Sequence, residues 1–314
     1  MLNISGTFLD EISHDIPHQN WGPKEWDQDF AHMQRMGIDT VILIRCGYRR
    51  WQTFPSKVLS KKEQAYTPPL DLVELFLRLS EKYKMAFYFG LYDSGKYWWD
   101  QGDFQKEVDI NLHLIDEVWE RYGKYPAFKG WYICQEVSRK IGSIIDLYCQ
   151  LGNHCKSISG NLPTLISPYI DGKKAILAKQ TALTKKDSVN IQQHEKEWNE
   201  IFDGIQSAVD IVAFQDGHVG YDELADYFSI NKKLADRYNM QSWTNAESFD
   251  RDMPIKFLPI KWEKLRLKLQ AAKVAQLEKA ITFEFSHFMS PQSAYPQAHH
   301  LYNRYLEEMK AHGF

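Results

Sequence analysis

Cysteine is scarce in this sequence and poorly spaced for metal or disulfide chemistry. There are four, Cys46, Cys134, Cys149 and Cys155, and no CxxC pair joins any two of them. A zinc site or a redox motif needs paired spacing, and a disulfide framework needs a much denser set. Two of the four lie in apolar strand-like runs, so buried free thiols are expected. An excess of one charge is also missing: 38 Lys and Arg against 41 Asp and Glu leave a formal net charge of −3 and a pI near 6.4. That balance gives no field to gather nucleic acid or an anionic membrane surface. No apolar run approaches the ~20 residues of a membrane span, and the opening MLNISGTF has neither the basic start nor the long apolar stretch of a secretory signal. The expectation is a cytoplasmic chain, or a periplasmic or secreted one if a signal has been trimmed. No feature specifies an oligomeric state.

Several chemical signatures are absent too. No GxGxxG follows the first strand-like run, and there is no Walker glycine loop, no GxSxG elbow and no HExxH or early HxH. No cofactor and no metal are therefore expected. What the chain does have is aromatic residues. Its 10 Trp, 17 Tyr and 17 Phe exceed the usual need of one core, and the surplus suits the lining of a site for sugars or other flat ligands.

Periodicity organises the whole length. Eight short β-rich runs occur at Ile4–Leu9, Thr40–Arg45, Met85–Leu91, Phe128–Cys134, Pro163–Ser167, Ile211–Gln215, Gln241–Asn245 and Ile281–Phe285. Stretches with helical apolar spacing separate them: Lys24–Met36, Leu70–Tyr83, Phe104–Tyr122, Gly142–Ser157, His194–Ala208, Tyr221–Tyr238 and Trp262–Lys279, with a closing helix over Gln297–Met309. Pro23 starts the first helix and Gly37 stops it. Strands alternating with helices imply parallel pairing with helices outside, and eight units close a barrel. The length, 314 residues, suits one α/β domain over 1–314, a single (β/α)8 TIM barrel with long βα rim loops. Those loops run over Gly47–Pro69, Tyr92–Asp103, Ile170–Gln193 and Ser248–Ile260. The Lys-rich piece Lys173–Lys186 reads as a solvated helical excursion, with a lid as the alternative.

In such a barrel the strand ends carry the chemistry. Glu136 ends the fourth run in GWYICQE, Asp216 the sixth in AFQDGHVG, and Glu247 follows the seventh in WTNAESF. Glu284 falls inside the eighth run, where it would point into the barrel. Two carboxylates converging on a pocket are what glycosidic cleavage needs: one donates a proton to the leaving oxygen, the other attacks the anomeric carbon or activates water.

Glutamates at the ends of strands four and seven resemble the acid/base and the nucleophile of the clan A glycoside hydrolases, and Arg45 matches that clan's strand-two arginine. Taken together, the ISGTFLDE, GWYICQE, FQDG and NAESF segments are more closely similar to an uncharacterised family of bacterial barrels, of the domain of unknown function 4434 type, described as glycosidases. The resemblance implies a retaining hydrolase of oligosaccharides or glycosides, with Glu136 as acid/base and Glu247 as nucleophile. It departs from the clan at Gln135, where an asparagine is usual, and at the end of strand eight, where the clan's tryptophan is missing and His287 and Phe288 follow.

Arg45, Gln135, Asp216, Glu284 and Asn245 are the candidate substrate contacts, with Tyr92, Trp98 and Trp99 as candidate sugar platforms. Other readings stay open at this point. Glu136 could pair with Arg139, Glu247 with Arg45 or Arg251, and Asp216 could only build an Asp-Gly turn. Glu284 rivals Glu247 as nucleophile. A carbohydrate-binding barrel without hydrolysis is one alternative function. Convergence of His14, His218 and His287 into a site for metal-dependent hydrolysis is another.

Overall fold

The parallel barrel closes, and the helices follow its strands around the outside. The structure, a computed structural model, describes residues 1–172, 189–252, 255 and 257–311. Its staves are β1 (Ile4–Leu9), β2 (Thr40–Leu43), β5 (Ala86–Gly90), β7 (Phe128–Ile133), β8 (Thr164–Ile166), β9 (Ile211–Gln215), β10 (Gln241–Asn245) and β13 (Lys279–Thr282). They pair in the order β1-β13-β10-β9-β8-β7-β5-β2, closing back on β1. The last stave corrects the expected Ile281–Phe285. Apolar residues continue past Thr282, but Phe285 N–H turns to the Thr7 hydroxyl at 2.9 Å, and Glu284 caps the short helix that follows. Glu284 therefore lies beyond the strand.

The helices are α1 (Pro23–Met36), α2 (Lys57–Glu63), α3 (Leu72–Tyr83), α4 (Phe104–Tyr122), α5 (Ile144–Ile158), α6 (Ile191–Ile205), α7 (Leu224–Arg237), α8 (Trp262–Val274), α9 (Phe285–Phe288) and α10 (Pro296–Ala311). Their starts follow local chemistry. Asp71, Asp103 and Asn190 each accept an N–H from the first turn of α3, α4 and α6, which satisfies a donor that the helix cannot. Gly37 ends α1 at φ 93°, a conformation that favours glycine.

Staves and helices enclose one continuous core, with Trp26, Trp131 and Trp198 fully inside. The long rim loops hold structure of their own. After β2 come the strands β3 (Gly47–Tyr48) and β4 (Trp51–Gln52) and the helix α2, and β6 (Tyr92–Asp93) joins β3 in a small sheet. After β10, β11 (Phe249–Asp250) and β12 (Leu258–Pro259) form an antiparallel pair. The Lys173–Lys186 piece lies outside the described residues. All four cysteines are free thiols, and among the described residues no helix is long and apolar enough to cross a membrane.

Candidate active site

Alternation past the strand ends decides which side chains reach the rim cavity. Successive residues of an extended chain point to opposite sides. After β7, Gln135 points outward: its amide donates to Tyr92 O at 2.9 Å and to Glu107 Oε1 at 3.0 Å. Glu136 points inward and accepts the Tyr132 hydroxyl at 2.8 Å. At β9 the order reverses. Gln215 faces the cavity, while Asp216 turns away to Lys268 of α8, 2.7 Å distant in a fully buried ion pair. Asn245 and Glu247 at β10 are two residues apart, and both face in.

The cavity measures about 150 Å³ and is lined by Ser13, Asp15, Ile16, Ile44, Arg45, Glu136, Gln215, Asn245, Glu247, Phe249, Arg251, Phe257 and Phe283. One wall is polar and charged; Ile16, Phe249, Phe257 and Phe283 make the other apolar. Two polar atoms of its lining are buried without a protein partner, the donor Arg45 Nε and the acceptor Asn245 Oδ1. Such groups call for a ligand or water. Asn245 is held through its amide, which donates to Ser167 Oγ at 3.1 Å. Arg45 is held by Asp93 at 3.4 Å.

The two glutamates of the cavity have opposite electrostatic settings. Burial raises the Glu136 carboxyl above its ordinary range, and Arg45 and the Tyr132 hydroxyl offset this only in part. Burial acts on Glu247 in the same sense, but Arg251 donates to both of its oxygens, at 2.7 and 2.6 Å, and with Lys268 holds it below the ordinary range. Gly217 gives this pair its room: a Cβ there would fall on the Glu247 carboxylate and the Arg251 guanidinium.

The remaining candidates stand around the cavity rather than in its lining. Glu284 is buried and accepts the backbone N–H groups of Ser286 at 2.9 Å and His287 at 2.7 Å, and it pairs with the His287 ring. Tyr92 donates to Arg49 O at 2.7 Å. Trp98 donates to Asp93 Oδ1 at 3.1 Å, and the exposed Trp99 packs against its edge. Arg139 pairs with Glu197, leaving Glu136 to the cavity.

The three histidines do not converge. His14 stacks on Tyr48, His218 lies against Tyr169, and His287 is taken up by Glu284 and Pro17 O. Among the described residues no group of three or more His, Cys, Asp or Glu could hold a metal ion.

Sequence reasoning missed Gln215, Arg251 as a wall of the cavity, and the aromatic wall. Gln215 stands directly before Asp216. Phe283, directly past Thr282 at the end of the last stave, belongs to that aromatic wall.

The closed parallel barrel puts the chain among the (β/α)8 barrels. It belongs to the family described as Domain of unknown function (DUF4434), which matches residues 4–295. A Bacteroides thetaiotaomicron VPI-5482 protein, described with its crystal structure as a putative alpha-L-fucosidase, is similar at 65% identity and a TM-score of 0.93, over 98% of this chain and 92% of that one. More distant barrels share the fold. An endo-1,4-beta-D-mannanase from Thermotoga petrophila RKU-1 superposes with a TM-score of 0.54 at 11% identity, over 90% of this chain and 87% of that one. A beta-glucosidase from Thermotoga maritima does so with 0.54 at 10%, over 87% and 80%. No curated protein matches the chain.

Proposed function

We propose that the protein is a retaining glycosidase in which Glu136 is the general acid/base and Glu247 the nucleophile. The observation that carries this reading is the opposite electrostatic setting of two glutamates lining one cavity. Environments that push two carboxyl groups apart sort them into a proton donor and an ionised partner. In the first step Glu247 attacks the anomeric carbon, the glycosidic C–O bond breaks, and Glu136 gives its proton to the departing oxygen. Water then attacks the glycosyl ester, Glu136 takes its proton, and Glu247 leaves as the carboxylate. One Glu247 oxygen must leave Arg251 for the first step.

Arg45 and Asn245, both in the lining, would face the sugar hydroxyls. Gln135, Tyr92, Asp216 and Glu284 would hold the rim behind the cavity, and Trp98 and Trp99 would flank it. A cavity of about 150 Å³ is below the roughly 300–1,000 Å³ usual for drug-sized ligands, which suits one terminal sugar. The apolar wall suits the methyl group of a 6-deoxyhexose, and the name of the Bacteroides relative makes α-L-fucosides the first substrates to try.

A sugar-binding barrel without hydrolysis is the second reading, favoured by the grip of Arg251 on both Glu247 oxygens. The test is hydrolysis of a panel of aryl glycosides, α-L-fucosides among them, by the wild type beside Glu136→Gln and Glu247→Gln. The expected result is wild-type turnover that falls by about 10²–10⁴-fold in Glu136→Gln on substrates with poor leaving groups, with folding intact. Undiminished turnover in that variant would remove Glu136 from the mechanism. Sugar binding without turnover by the wild type would establish the second reading.

A further inference from the structure

The loop after β2 carries two large aromatic side chains that the core does not use. Trp51 is 61% exposed and Tyr66 46% exposed, with ring centroids 4.9 Å apart. A single exposed aromatic is ordinary, but two in contact make a contiguous apolar patch of the kind that marks a binding surface. The pair is also built rigidly. Tyr66 N–H donates to Arg50 O at 2.8 Å, and the Gln52 amide donates to Tyr66 O at 3.0 Å. The Arg50 guanidinium lies over the Tyr66 ring, 4.3 Å from its centroid, while its Nε donates to Gln64 O at 3.0 Å.

The pair is linked to the cavity wall through Tyr48. Trp51 is the cross-strand partner of Tyr48, and side chains directly opposite on one face are neighbours. The Tyr48 ring lies 5.5 Å from the guanidinium carbon of Arg45, which lines the cavity. On the Tyr48 ring stacks His14, at 5.1 Å, between the cavity residues Ser13 and Asp15. Buried Tyr48 thus ties the strand that carries Trp51 to the cavity residue Arg45, which places the exposed Trp51 and Tyr66 on the rim beyond it. The cavity has room for one sugar, so the remainder of a longer glycoside must lie across the rim.

We propose that Trp51 and Tyr66 form an outer site that stacks a pyranose ring on the leaving-group side of the bond to be cut. This rests on the glycosidase reading and adds to it that the substrate is an oligosaccharide rather than a simple glycoside. The C–H face of a pyranose matches an aromatic face, and a fixed pair of rings binds it at little entropic cost.

The test compares two substrates with the same terminal sugar: α-L-fucosyl fluoride, whose leaving group cannot reach the rim, and an α-L-fucosylated trisaccharide. In Trp51→Ala and Tyr66→Ala, kcat/KM on the trisaccharide should fall by roughly tenfold or more, while turnover of the fluoride stays at the wild-type value. Trp51→Phe should recover part of the loss. Equal rates for wild type and variants on both substrates, or equal losses on both, would overturn the outer site and leave the glycosidase reading standing. A wild type that hydrolyses neither would overturn both for fucosides.

Discussion

Arg251 holds Glu247 by both oxygens, its Nε 2.7 Å from one and its terminal nitrogen 2.6 Å from the other. The residues are four apart, one just past β10 and the other just past β11, so the rim hairpin brings its own counter-ion to the carboxylate. Two parallel charge-assisted bonds fix orientation as well as charge.

The first prediction concerns that grip. An arginine beside a carboxylate favours its ionised form, so Arg251→Gln should move the acidic limb of the kcat/KM profile to higher pH. Glu247 must be ionised to attack, which means that activity is lost as pH falls through its pKa; removing the cation raises that pKa. Arg251→Lys should restore part of the charge effect but little of the orientation, since lysine offers no planar fork. An acidic limb that stays in place in Arg251→Gln would show that Arg251 does not set the ionisation of Glu247.

Much of the architecture was legible because it depends on local pattern. The β-rich runs and amphipathic helices stand in the residues themselves, and the barrel follows from their alternation. Side-chain direction at the strand ends was harder. Gln135 and Glu136 are adjacent, as are Gln215 and Asp216, and one residue of register decides which member of each pair meets the cavity. At β7 the glutamate faces in; at β9 the aspartate faces out to Lys268, a partner 52 residues away. Arg251 and Phe257 lie on a hairpin whose path no periodicity encodes. Phe283 and Glu284 extend an apolar run that the backbone leaves at Thr282, because the Thr7 hydroxyl on the first stave accepts the Phe285 N–H.

The second prediction concerns the support beneath Glu247. Lys268 donates to Asp216 Oδ1 at 2.7 Å and to Glu247 O at 3.0 Å, and Glu247 N–H donates to the same Asp216 oxygen at 3.1 Å. Breaking a buried ion pair by removing one partner costs about 3–5 kcal/mol, so Lys268→Met should lower stability by that amount in denaturant unfolding. It should also reduce kcat, because the strand end carrying Glu247 loses its anchor. Adding Asp216→Asn removes the stranded charge and keeps an acceptor for Glu247 N–H. The double variant should therefore recover a large part of the stability, and a double variant no more stable than Lys268→Met would show that the pair is not coupled.

The third prediction is a pH dependence of stability. His287 is buried against Glu284, with its Nε2 at Pro17 O, and lies near Asp10 and Glu11. Burial alone would lower its pKa, but the Glu284 carboxylate raises it from 6.5 to about 9. A group whose folded pKa exceeds its unfolded value stabilises the fold fully below the unfolded pKa, and that contribution is lost as pH rises through the folded one. The melting temperature should therefore decline between pH 6.5 and about 9. Half-buried Glu11 and buried Asp29, each raised to about 7, add a decline in the same sense, centred lower because their unfolded values are lower. His287→Gln keeps a side chain able to reach Glu284 but cannot titrate, so it should abolish the upper part of the decline. A melting profile of His287→Gln parallel to the wild type above pH 7 would show that His287 is not the group responsible.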